Sequence, residues 1–221
     1  MNSPSNDPAS HPAALFSNSL VIPVIPVIRI TSADRAVDLA RTLVDAGLSM
    51  LEITLRTPAA FEAIERIASE VPEAVVGAGT VLSAGDLDRV VKVGARFAIA
   101  PGCTETLYRE SSNIPLPLIP GVATVSEVML GMEHGHEHFK FFPAEAAGGP
   151  AMLRAWAGPL PQVRFVPTGG ITIHNAASYL ALDNVVAVGG SWMVPEEAIA
   201  AGDWTRIAHL ARDCSKLLER N

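Results

Sequence analysis

Val24-Ile-Pro-Val-Ile-Arg-Ile30 leads through Ser32-Ala-Asp-Arg35 into an Ala- and Leu-rich segment closed by Gly47, and Met50-Leu-Glu-Ile-Thr-Leu-Arg56 follows. The outer runs are short and rich in β-branched residues, as strands are. The middle segment has apolar residues at helical spacing, a serine placed to cap its start and a glycine to end it. The stretch reads as one strand–helix–strand unit. Working outward, the alternation repeats: Ala74–Gly79, Phe97–Ala100, Leu116–Ile119, Phe139–Phe142, Arg164–Pro167 and Val185–Val188 are further strand-like runs. Strands alternating with helices imply a parallel sheet. Eight such units in about 200 residues predict an α/β protein with a single-domain (β/α)8 barrel. An open doubly wound sheet is the rival. It usually carries a glycine-rich phosphate turn after its first strand, and the turn after Ile30 has no glycine. Gly77-Ala-Gly79 lacks the third glycine and the later acidic partner of a dinucleotide fingerprint.

Helix signals fill the gaps between strands. Thr57-Pro58 starts a helix with proline in its first turn. Ser83, Thr104, Thr124 and Thr172 are N-cap candidates. Pro195 opens a last helical region that breaks at Gly202 and ends near Glu219. Residues 1–19, rich in Ser, Asn, Pro and Ala, read as a tail with a short helix near Ala13–Phe16, and residues 20–221 as the barrel domain. The tail has neither the basic start nor the apolar core of a signal peptide.

The chain has 221 residues, 49% hydrophobic and 18% charged, with a formal net charge of −7. Mean hydropathy is +0.30. Such a chain has ample material for a core, which excludes global disorder. The longest uncharged apolar stretch, Leu20–Ile28, is too short to span a bilayer and holds Pro23 and Pro26. The acidic balance disfavours a sequence-independent nucleic-acid binder. Cys103 and Cys214 form neither a metal motif nor a disulfide framework, which fits a reducing, cytoplasmic location.

Barrel chemistry sits at the C-terminal ends of the strands. In Met50–Arg56 the period of two puts Leu51, Ile53 and Leu55 on one face and Met50, Glu52, Thr54 and Arg56 on the other. The polar set is expected to face the barrel axis. There Glu52 and Arg56 are either a structural ion pair or a general acid/base beside an anion-binding arginine. Lysine is scarce: Lys92, Lys140 and Lys216 are the whole set. Lys140 lies inside the strand-like Phe139-Lys-Phe-Phe-Pro143, where a lysine is almost never buried unpaired. It reads as a buried Lys–Glu salt bridge or as a Schiff-base lysine. In the second case desolvation and a nearby arginine lower its pKa, and Phe142 supplies an apolar wall. Thr168-Gly-Gly170 and Gly189-Gly-Ser191 end the last two strands, where barrels often hold a phosphate on backbone N–H groups. His134-Gly-His-Glu-His138 resembles a metal tract but precedes a strand. That puts it at the end of the barrel concerned with stability, so no metal is expected.

Leu51-Glu-Ile-Thr-Leu-Arg-Thr57, Val76-Gly-Ala-Gly-Thr-Val81, Pro101-Gly102, Ile119-Pro-Gly121, Phe139-Lys-Phe-Phe-Pro-Ala-Glu145, Pro167-Thr-Gly-Gly-Ile171 and Gly189-Gly-Ser191 occur in order from about Ile25 to the C-terminus. This series resembles the 2-keto-3-deoxy-6-phosphogluconate (KDPG) and 4-hydroxy-2-oxoglutarate (KHG) aldolase family. The resemblance implies a Schiff-base aldolase with a (β/α)8 barrel, a homotrimer that needs no cofactor and acts on a small phosphorylated keto acid, without nucleic-acid or membrane partners. It implies Lys140 as the imine-forming residue and Glu52 as the proton carrier. Arg56 and Thr80 would hold the carboxylate end, and Pro101 and Phe142 would shape the pocket. Thr168, Gly169, Gly170, Gly190 and Ser191 would bind the phosphate end, with Arg29 a weaker anion contact. Ala100 stands where a serine is common in the family, with Cys103 shortly after it. The implied reaction cleaves KDPG to pyruvate and glyceraldehyde 3-phosphate, with KHG as a further substrate. The other enzyme reading is a phosphosugar isomerase or epimerase barrel in which Lys140 is never covalent. A non-catalytic phosphosugar binder would have no use for both Glu52 and Lys140.

Overall fold

The computed structural model describes residues 15–16 and 22–220. The expected tail and its short helix lie outside the described residues, except for Leu15 and Phe16, which are helical. Strands β1 (Val24–Ile28), β2 (Met50–Thr54), β3 (Val75–Gly79), β4 (Ala98–Ile99) and β5 (Leu118–Ile119) alternate with helices. So do β6 (Gly121–Val122), β7 (His138–Phe141), β8 (Arg164–Pro167) and β9 (Val188–Gly190), with Pro120 alone separating β5 from β6. All paired strands are parallel. One sheet runs β5-β4-β3-β2-β1-β9 and another β6-β7-β8. Bridges Phe165↔Val185 and Thr168↔Gly189 join β8 to the β9 segment, so the sheet is curled. The fold is α/β, and every strand's C-terminal end faces the same way.

The sheet has two faces with different contents. Leu51, Ile53, Val76, Phe139 and Phe141 are buried outward beneath the helices. Phe141, for example, meets the edge of Trp156 at 5.4 Å. Inside the curl a separate cluster forms from Leu15, Ile25, Met50, Phe97, Ile99, Ile119, Val166 and Ala187. Phe97 fits there because β3 offers a glycine opposite: a Cβ on Gly77 would lie 2.4 Å from the Phe97 ring.

Several helix starts follow the expected chemistry. Ser83 and Thr124 form capping boxes with Asp86 and Glu127, and Thr104 accepts from the Leu107 N–H. Burial works against the Glu127 carboxylate, but backbone N–H donors from Ala123 and Thr124 and the Thr124 hydroxyl outweigh it and hold its pKa below the usual range. The last helices, Glu196–Ala201 and Trp204–Asp213, are divided by Gly202 at φ 69°, as its left-handed backbone requires.

Two expected helix starts are corrected. The helix after Thr57-Pro58 begins only at Ala60, because the Thr57 hydroxyl donates to the Ile30 carbonyl of the neighbouring strand end. Thr172 does not cap a helix: its hydroxyl accepts from the His174 N–H in a turn, and the helix begins at Ala176. The last strand is also displaced. Val185 forms an isolated bridge, and β9 contains Gly189 and Gly190, so this glycine pair lies inside a strand rather than in the loop after it. A Cβ on Gly189 would meet the Thr168 hydroxyl at 2.3 Å, so the strand needs glycine there to pass β8. Among the described residues, no helix is long and apolar enough to cross a membrane.

Candidate active site

On β2 the inward face changes character within one pleat. Met50 joins the apolar cluster, and Glu52, one pleat nearer the C-terminal end, is 1% exposed. In strand register the Glu52 backbone pairs with Gly77 on β3 and Val27 on β1, while its side chain reaches up to the height of Gly79. Room for its carboxylate comes from Gly79: a Cβ there would sit 2.1 Å from Glu52 Oε1. On β7 the same inward position is taken by Lys140, level with Gly121 and Val166 and 5% exposed. Lys140 Nζ donates to Glu52 Oε1 at 3.0 Å. Neither charge would be tolerated here alone, because an unpaired buried ion costs several kcal/mol. Phe142, half-buried, brings its ring centroid to 5.3 Å from Nζ. Of the two readings of Glu52 and Arg56, the structural ion pair between them is corrected. Arg56 lies beyond the end of β2 and is exposed, and Glu52 pairs with a residue on the far side of the sheet.

Arg56 and Ser191 instead share a cavity of about 190 Å³ with Arg29, Thr54, Val194 and Glu196. Thr54 is fixed by its hydroxyl, which donates to the Ile28 carbonyl at 2.9 Å. Arg29 is held by Glu196 at 2.6 Å. Thr80, immediately after Gly79, has φ 60°. That backbone is costly for a β-branched residue and marks a held position beside Glu52. Pro101 packs against β6 so closely that a Cβ on Gly121 would lie 2.2 Å from its carbonyl carbon. Cys103 on this rim is half-buried, and burial pushes its thiol up to about 12, so it remains a thiol at neutral pH.

Thr168, Gly169 and Gly170 follow β8. The two glycines have φ 102° and 79°, a conformation that suits glycine alone. The carbonyls of Thr168 and Gly169 accept from the N–H groups of Ala144 and Glu145 at 2.8 and 3.1 Å. What the glycines offer a ligand is thus N–H donors. The Thr168 hydroxyl is buried and has no hydrogen-bond partner among the described residues. Gly190 is shaped by Trp192, whose ring would lie 1.9 Å from a Cβ there.

The histidine tract is structural where it can be followed. His134 stacks on Tyr108 at 4.8 Å and meets Glu105 at 3.3 Å. His138 is buried on β7 and stacks on Phe16 at 5.3 Å. Among the described residues no three His, Cys, Asp or Glu side chains are grouped to hold a metal ion.

Three contributors were not singled out from the sequence as site-building. Gly77 and Gly79 were weighed only as a phosphate fingerprint, and their period-two spacing on a strand was the available signal for an inward face kept open. Glu145 packs beside the Thr168–Gly170 turn and accepts from the Tyr179 hydroxyl. Nothing local in the sequence links that pair.

Residues 17–210 match the aldolase family described as KDPG and KHG aldolase. The KHG/KDPG aldolase of Escherichia coli (strain K12) is 55% identical over 191 residues, 86% of this chain and 90% of the relative. The 2-dehydro-3-deoxy-phosphogluconate aldolase of Dickeya dadantii (strain 3937) is 54% identical over the same shares. The KDPG aldolase of Legionella pneumophila, solved with pyruvate captured as a covalent carbinolamine, superposes with a TM-score of 0.87 at 51% identity, covering 91% of this chain and 96% of that one. That of Zymomonas mobilis ZM4, solved with 3-phosphoglycerate, gives 0.84 at 44% identity, covering 92% and 94%. The buried Glu–Lys pair, the glycine turn and these matches agree: the chain belongs to the KDPG and KHG aldolase family.

Proposed function

We propose that this protein is a class I aldolase that cleaves KDPG to pyruvate and glyceraldehyde 3-phosphate and also accepts KHG. The observation that carries the reading is the buried Lys140–Glu52 pair at 3.0 Å on inward strand positions. Glu52 takes a proton from the Lys140 ammonium, and the free amine attacks the C2 carbonyl to form a carbinolamine. Glu52 returns its proton to the carbinolamine hydroxyl, which leaves as water and gives the protonated imine. Glu52, directly or through water, takes the C4 hydroxyl proton, and the C3–C4 bond breaks. Its electron pair moves toward the imine nitrogen and leaves an enamine, and the aldehyde departs. Protonation at C3 and hydrolysis release pyruvate and restore the lysine.

Arg56 and Thr80 hold the carboxylate, while Pro101 and Phe142 wall the imine. The phosphate end is read onto Thr168, Gly169, Gly170, Gly190 and Ser191, with Arg29 at the cavity edge. The unpartnered Thr168 hydroxyl and the left-handed glycine backbone support this placement. The covalent pyruvate in the Legionella relative and the phosphorylated ligand in the Zymomonas relative support the two ends separately. For the architecture we read β5 and β6 as one bent strand. The β8–β9 bridges then close a (β/α)8 barrel over residues 20–221. A homotrimer and a cytoplasmic location complete the reading.

The test is pyruvate release from KDPG, from its galactonate epimer and from KHG by the purified protein. Release from KDPG is expected. Interconversion of phosphosugars without pyruvate would establish the isomerase reading instead, in which Lys140 acts only as a charge.

A further inference from the structure

Glu145 is an acidic residue beside the turn read above as the phosphate site. Its stem lies against Gly170, where a Cβ would be 2.7 Å from Glu145 Cγ and 2.8 Å from its Cβ. Its own N–H donates to the Gly169 carbonyl at 3.1 Å. A carboxylate here would repel a phosphate dianion unless something held and screened it. The Tyr179 hydroxyl, from the helix Ala176–Leu180, donates to Glu145 Oε1. Tyr179 is fully buried, so the donor is fixed in place, whereas Glu145 is exposed. Burial, and then the carboxylate itself, push the phenol up from its ordinary value, so it stays the proton donor. Gly149, at φ 61°, borders the pair: a Cβ there would be in ordinary contact, 3.5 Å from the Tyr179 hydroxyl and 3.7 Å from Glu145 Oε1.

The geometry points to Glu145 and Tyr179 as positioning residues that set the enzyme's preference for phosphorylated substrates. Glu145 braces the Gly169–Gly170 turn with its stem and backbone, and Tyr179 ties its carboxylate down so that the turn can accept a dianion. This rests on the phosphate placement proposed above. It gives the turn an electrostatic condition: the brace is useful only while its charge is occupied.

The test compares kcat and KM on KDPG and on KHG, which carries no phosphate, for Tyr179→Phe, Glu145→Gln, Glu145→Ala and the double variant Tyr179→Phe/Glu145→Gln. Tyr179→Phe frees the carboxylate, and KM for KDPG should rise about tenfold, the low end for a hydrogen bond to a charged group. KHG cleavage should change less than about twofold. Glu145→Gln keeps the stem and removes the charge, so it should rescue Tyr179→Phe on KDPG. Glu145→Ala removes the brace and should raise KM for KDPG alone. Because Glu145 is exposed, its variants remain informative if Tyr179→Phe does not fold. Equal losses on both substrates, or no rescue by the double variant, would overturn the inference. Ser191→Ala run alongside separates the two readings. If Ser191→Ala is KDPG-selective and Tyr179→Phe is not, only the positioning role fails. If Ser191→Ala affects both substrates equally, the phosphate placement itself fails.

Discussion

The two levels inside the curled sheet differ by a single pleat, and the difference separates stability from chemistry. At the lower level β2 presents Met50, β3 presents Gly77 and Phe97 fills the space that glycine leaves. One pleat higher the same strands present Glu52 and Gly79, and the space is filled by a carboxylate bonded to Lys140. Glycine does the same steric task at both levels. What enters the vacated volume decides whether the level is core or site. A dry floor beneath the pair also keeps water from one side of the ion pair, which strengthens every electrostatic contact above it.

The largest effect is expected at the upper level. Glu52→Gln keeps shape and loses the base, so cleavage should slow by about 10²–10⁴, and imine formation with pyruvate should persist but slow, because no carboxylate takes the Lys140 proton. Near-normal turnover would make the carboxylate structural and erase the distinction between levels. At the lower level Leu15→Ala should cost about 2–5 kcal/mol of unfolding free energy, the range for a buried Leu→Ala change, with kcat unchanged at 25 °C. Denaturant unfolding checks it. A drop in kcat without loss of stability would mean that the floor takes part in the chemistry.

Much of this organisation is legible in the sequence, for physical reasons. The β-branched runs and helical periods reflect burial on two faces, and burial is local information. Glu52 and Lys140 are conspicuous because charged residues inside apolar strands need a partner. The partner is only partly local: the sequence offers Glu52 the Arg56 four residues away and offers Lys140 an unspecified glutamate, and the two meet each other across the sheet. The glycines of β3 and β9 were harder to place. Their role depends on Phe97, Glu52 and Thr168 arriving from other strands, and their low strand propensity moved the expected last strand too early. The helix starts expected at Thr57 and Thr172 fall later because another strand end and a local turn take those hydroxyls.

Ser191→Ala sharpens the comparison along the upper level, between its two ends. Loss of a hydrogen bond to a charged group is worth about 1.5–3 kcal/mol, or roughly 10- to 150-fold in kcat/KM on KDPG. KHG cleavage should be nearly unchanged. Equal losses would place Ser191 at the keto-acid end, where it already shares a cavity with Arg56.

The smallest effects come from a matched pair of glycine changes. Gly77→Ala meets the Phe97 ring and Gly79→Ala meets the Glu52 carboxylate. Overpacking costs about 1–3 kcal/mol in either place. For Gly77→Ala it should lower Tm by about 2–10 °C, with kcat retained. For Gly79→Ala the carboxylate moves, so a similar cost should appear as a fall of roughly 5- to 150-fold in kcat. Identical behaviour of the two variants would contradict the division into levels.

The central claim is that Lys140 is a nucleophile and not merely half of an ion pair. Borohydride reduction in the presence of pyruvate, followed by peptide mapping, tests it most directly. Loss of activity with one labelled site, Lys140, is expected. Labelling at Lys92 or Lys216, or no labelling at all, would contradict it.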